Sequence, residues 1–158
     1  MDILELGPGT IAVSDEQRRW LLLIAAPEIA PHAPLDAAAH DGRLAGVVLL
    51  DAQLEHAARL TALSRRHPLA LYATPSVFEA LTTRLPRLGD LRWHPLPVAG
   101  DVHSAEFVVE SMRGLRCIAV DRPGGDALRV GDSVALLIED RASGQRLAFS
   151  SESTEIVS

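Results

Sequence analysis

Three apolar runs, Trp20–Ala26, Leu44–Leu50 and Leu69–Tyr72, constrain this chain more than anything else in it. Each is hydrophobic at even and odd positions alike, the pattern of a strand covered on both faces. Between them the spacing turns helical. Leu54, Ala57, Ala58, Thr61 and Ala62 fall on one face of a segment running to Arg66, and Pro68 stops it. Thr74 followed by Pro75 reads as an N-cap and first helical residue, opening a helix that runs to about Leu85 before Pro86. Strand, helix, strand, helix at this spacing predicts βαβα units with parallel pairing. Ahead of them, Ile3–Leu6 and Thr10–Val13 read as short strands around Gly7-Pro8-Gly9. The Pro- and Ala-rich stretch from Pro27 to Asp41 reads as a loop or a broken helix.

After Gly89 the texture changes. Leu91–Trp93, Phe107–Glu110, Leu115–Val120, Ser133–Glu139 and Arg146–Phe149 read as strands divided by turn signals such as Gly131-Asp132 and Ser143-Gly144. Short loops of this kind predict an antiparallel meander. With no linker and no repeat, residues 1–158 read as one domain.

Composition removes several function classes. The net charge is −6, against the basic face that nucleic acid or an anionic membrane requires. All 15 cations are Arg; without Lys, Schiff-base and P-loop chemistry are excluded. One cysteine, Cys117, allows neither an internal disulfide nor a thiolate zinc site, and its strand-like apolar setting reads as core. With no basic, apolar leader at Met1–Glu5, a cytoplasmic protein is expected.

The first place to look for chemistry is the loop after Leu50, because ligands of α/β sheets lie beyond the carboxyl ends of the strands. It reads Asp51-Ala52-Gln53-Leu54-Glu55-His56. Its polar side chains are candidates for metal or proton ligation; equally, Asp51 or Gln53 caps the following helix while Glu55 favours its positive end. His32, His40, His67, His94 and His103 each read as surface residues. No G-x-S-x-G, H-E-x-x-H, G-x-G-x-x-G or P-loop pattern occurs.

Several segments, in order, resemble the coenzyme PQQ synthesis protein B (PqqB) family: Thr10–Ser14, Arg19–Leu23, Ala26–Ile29, Ala45–His56, Leu71–Val77, Leu91–Pro97, Gly131–Asp140 and Ser143–Phe149. The resemblance implies a metallo-β-lactamase-like αββα sandwich. This chain would supply half of it, a mixed sheet with two main helices on one face. It places Asp51, Gln53, Glu55 and His56 where metallo-hydrolases carry H-x-H-x-D-H. Asp51 and Gln53 then stand for two histidines, Glu55 for the aspartate, and His56 is retained. One histidine with two carboxylates suits Fe(II), with Zn(II) the other candidate. The cysteine-rich zinc segment of the family is missing, and Ser150–Ser153 stands where metallo-hydrolases place a bridging aspartate. Two readings follow. One is a degenerate relative that binds a precursor, product or pathway enzyme of PQQ or related cofactor synthesis. The other is an iron-dependent oxidase of a tyrosine-containing precursor. A half sandwich leaves a sheet face uncovered, so a homodimer or a heteromer is expected to cover it.

Overall fold

The computed structural model describes residues 1–25, 33–52, 60, 68–84, 90–125 and 127–157. Strands β1 (Asp2–Gly7), β2 (Thr10–Ser14), β3 (Trp20–Ile24), β4 (Leu44–Leu49), β5 (Leu69–Ala73) and β6 (Leu91–Pro95) make a six-stranded sheet in sequence order. The β1–β2 and β2–β3 pairs are antiparallel, while β3, β4, β5 and β6 run parallel. Helices α1 (Ala33–His40) and α2 (Pro75–Arg84) lie on one side of it.

The both-parity apolar runs have a direct structural cause. Leu22, Ile24, Val47, Leu49, Leu71 and Ala73 face Leu35 of α1, Leu60, and Val77 and Leu81 of α2. The alternate residues Leu21, Leu23, Val48, Leu50 and Tyr72 face the other way, into a second core. Each fully buried leucine there contributes about 1.5–3 kcal/mol of burial.

The strands after Leu96 do not extend that sheet. β7 (Ser104–Phe107), β8 (Leu115–Asp121), β9 (Val134–Asp140), β10 (Arg146–Phe149) and β11 (Thr154–Val157) form a separate antiparallel sheet in the order β11-β10-β9-β8-β7. Phe107, Cys117, Ala119, Leu136, Ile138, Leu147 and Phe149 point inward and share the second core with the first sheet. The layers are therefore helices, mixed sheet, antiparallel sheet. The face expected to lie open is covered within the chain. What faces solvent is the outer side of the antiparallel sheet, where Arg116, Glu139 and Arg146 alternate with Ile118, Leu137 and Ala148.

Two local expectations shift. The segment read as loop or broken helix contains α1, with Pro34 in its first turn, where a missing N–H costs nothing. The strand expected at Phe107–Glu110 lies three residues earlier, because Phe107 pairs with Cys117 while Val109 and Met112 leave the ladder to fill the core. β11 had no sequence reading. The helix expected over Leu54–Arg66 lies outside the described residues apart from Leu60, which is helical and buried.

Candidate functional site at the carboxyl edge of the parallel strands

The carboxyl ends of β4 and β5 meet the loop that leads into β9. Leu50 continues β4, its N–H donating to Ile24 O (3.0 Å) and its carbonyl accepting from Val134 N (3.0 Å). The next residue, Asp51, is half-buried and forms an antiparallel bridge with Ser133. The first residue of the candidate metal loop is thus tied to the second sheet through its backbone. Gln53, Glu55 and His56 lie outside the described residues, as do His32 and His67.

Just past the end of β5, Thr74 performs two tasks. Its Oγ1 accepts from Val77 N (3.2 Å), the N-cap bond expected from the Thr74-Pro75 pair, and donates to Gly131 O (2.6 Å). Gly131 takes φ +91°, and a Cβ there would lie 2.3 Å from Val98 O, so only glycine fits. Its N–H donates to Asp121 Oδ1 (2.9 Å) at the end of β8. Asp132 turns toward α2, accepting from Ser76 Oγ and from the N–H groups of Leu128 (2.9 Å) and Arg129 (2.8 Å). Burial opposes the charged form of Asp132. The Ser76 bond, the two amides and the Arg129 charge outweigh it and hold the carboxyl below its usual range.

Asp121 completes the cluster. Its other oxygen, Oδ2, lies 3.5 Å from His103 Nδ1, with Asp121 6% and His103 67% exposed. Arg122 N donates to Ser133 O (2.8 Å), and the Arg122 guanidinium reaches Ser151 Oγ (3.2 Å) and Glu152 (3.0 Å). The Ser150–Ser153 turn therefore sits at the same edge. His94 lies in β6 stacked on Tyr72 at 5.0 Å, and His40 ends α1.

The described carboxylates at this edge are engaged in building it. Asp121 and Asp132 fix the Gly131–Ser133 segment, and that segment fixes Asp51. Sequence reading found Asp51 but took Gly131-Asp132 as a plain turn and Thr74 as a cap alone. Nothing local signals that Thr74 and Gly131, 57 residues apart, touch. Among the described residues no group of three or more His, Cys, Asp or Glu converges as a metal site, so these residues by themselves do not fit an iron or zinc ion. No helix among them is long and apolar enough to cross a membrane.

A helix-covered mixed sheet packed on an antiparallel sheet, with its loops gathered at the carboxyl edge, is the metallo-β-lactamase fold class. Rm3 metallo-beta-lactamase superposes on 94% of this chain and 60% of its own, with TM-score 0.56 and 16% identity. Zn(2+)-bound PqqB from Methylobacterium extorquens covers 88% of this chain and 50% of its own, with TM-score 0.51 and 24% identity. No family model matches the chain. Coenzyme PQQ synthesis protein B of Nitrosococcus oceani is 34% identical over 163 residues, 89% of this chain and 53% of that protein. The same protein of Cupriavidus necator is 36% identical over 159 residues, 90% of this chain and 49% of its own. The chain is thus similar to coenzyme PQQ synthesis protein B over most of its own length and spans about half the length of the curated relatives it matches.

Proposed function

We propose that this protein serves the synthesis of PQQ, or of a related peptide-derived cofactor, by holding a precursor, product or pathway enzyme at the carboxyl edge without carrying out the full reaction. The homology to PQQ synthesis proteins supports the pathway. One observation carries the role. The acidic side chains Asp121 and Asp132 are committed to amide, hydroxyl and arginine partners that shape the loop. A carboxylate committed in this way is a poor metal ligand, since binding an ion would strip away bonds already made.

A second reading keeps Asp51, Gln53, Glu55 and His56 as ligands of Fe(II) or Zn(II). It is favoured by the position of Asp51 at the end of β4 and by the zinc-bound PqqB neighbour. One histidine and two carboxylates suit a hard, redox-active ion, which would supply oxidation chemistry with an oxygen donor set. Further ligands would then come from a second chain, as a homodimer or a heteromer.

Amide NMR of the full chain, titrated with a tyrosine-containing peptide, tests the binding role. Shifts concentrated at Asp51, Thr74, Asp121 and Gly131–Ser133 are expected. A peptide that leaves these amides unmoved, while pathway proteins also fail to shift them, overturns it.

A further inference from the structure

Among the described residues the two sheets have four edges, and three are protected against pairing with another strand. β1 breaks register between Glu5 and Gly7, β6 ends on Pro95, and β7 carries Glu106 paired to Arg116 and Arg141. The fourth edge, β11, has no bulge and no proline. Thr154, Glu155, Ile156 and Val157 are all exposed, Ile156 at 54% and Val157 at 56%.

The ladder fixes which backbone groups of β11 lack a partner among the described residues. Ser150 N donates to Ser153 O (2.9 Å), closing a two-residue hairpin. Alternation along an antiparallel pair then makes Ala148–Glu155 and Arg146–Val157 the hydrogen-bonded pairs. Glu155 and Val157 turn their backbone groups toward β10; Thr154 and Ile156 turn theirs outward.

We propose that β11 pairs antiparallel with β11 of a second copy of this chain, the two-fold axis passing through Ile156, so that the two antiparallel sheets become one. In this register Ile156 N–H donates to the carbonyl of the partner subunit's Ile156, and the reverse bond follows by symmetry. The inward row Ile138–Leu147–Ile156 runs on into the partner's Ile156, covering two half-exposed isoleucines. The outward row Glu139–Arg146–Val157 runs on into the partner's Glu155. Two strand spacings, about 9.6 Å, separate Arg146 from that glutamate, within the combined reach of the two side chains. Arg146 is 68% exposed and contacts Glu139 only at 3.8 Å, so it can make this bridge, and symmetry makes it twice. The neighbouring register centred on Glu155 would set like charges opposite each other. Charge and apolar pattern select the same register.

Light scattering on the eluting full-length chain, from low to high micromolar, is the test. The expected mass is twice the chain's 17.0 kDa. Ile156→Pro removes only an N–H that faces solvent in the single chain, so it should leave the circular dichroism unchanged and abolish the dimer. Glu155→Arg should weaken the dimer about tenfold or more, and Arg146→Glu added to it should restore association. A monomer throughout, or a dimer indifferent to Ile156→Pro and Glu155→Arg, overturns the proposal. If Ile156→Pro unfolds, the charge-swap pair still decides: rescue supports the register and failure of rescue refutes it.

Discussion

Replacing Gly131 by alanine should be among the most costly single-methyl changes in this protein. The new Cβ would lie 2.3 Å from Val98 O, whereas ordinary contact begins near 3.4 Å, and 3.3 Å from Thr74 Cβ. Because one obstacle is backbone, the segment itself must move by about 1 Å. Movement strains the Thr74-to-Gly131 bond of 2.6 Å and the Gly131-to-Asp121 bond of 2.9 Å. A positive φ costs a non-glycine residue about 1–2 kcal/mol, and disturbing buried hydrogen bonds costs about 1–3 kcal/mol. Together they give roughly 2–5 kcal/mol, equivalent to a drop in Tm of about 4–20 °C for a chain of this size. Gly144→Ala is the internal control, since Gly144 has φ +74° but no atom within 4 Å of the added methyl, leaving about 1 kcal/mol of strain. Urea titrations followed by circular dichroism compare the two through their midpoints at constant slope. If the two substitutions cost the same within about 1 kcal/mol, the clamp between α2 and the loop before β9 does not hold as described.

Other outcomes follow from single features. Arg18 sits at φ 56° in a tight hairpin where Arg18 N donates to Asp15 O (3.0 Å), the position glycine usually takes; Arg18→Gly should stabilise by about 0.5–1 kcal/mol in the same urea assay. The Asp132 carboxyl titrates lower in the folded chain than in the unfolded one, so its stabilisation is present above the unfolded value of about pH 4 and is lost as pH falls toward the folded value. Asp132→Asn should therefore be less stable near neutrality and show a shallower acid decline in pH-dependent melting. Burial pushes the Cys117 thiol up to about 12, so it should resist a thiol reagent in the native protein at neutral pH and react fully in denaturant. Native-state labelling as fast as in denaturant would contradict its place in the core.

The sequence made local and periodic features legible and long-range ones invisible. The parallel strands were readable because Leu21–Ile24 and Val47–Leu50 are covered on both sides and so carry no polar face. The Thr74-Pro75 start of α2 was readable because capping is decided within a few residues. Helix α1 was obscured by Pro34 and the prolines before it, although Leu35 anchors it by burial against the sheet. The closure of one sheet over the other depends on Tyr72 and Phe107, whose rings are 5.7 Å apart though distant in sequence, and no period announces that. At the edge, Asp51 was visible as a polar residue ending an apolar run, while Asp121, Gly131 and Asp132 gained their roles only through folding.

The most direct test of the binding role is the metal content of the full chain purified without oxygen, by elemental mass spectrometry, alongside Glu55→Ala and His56→Ala. The expected result is iron and zinc well below one ion per chain and unchanged by either substitution. One ion per chain, lost in both variants, would contradict the account and favour the metal-dependent reading of Asp51, Gln53, Glu55 and His56.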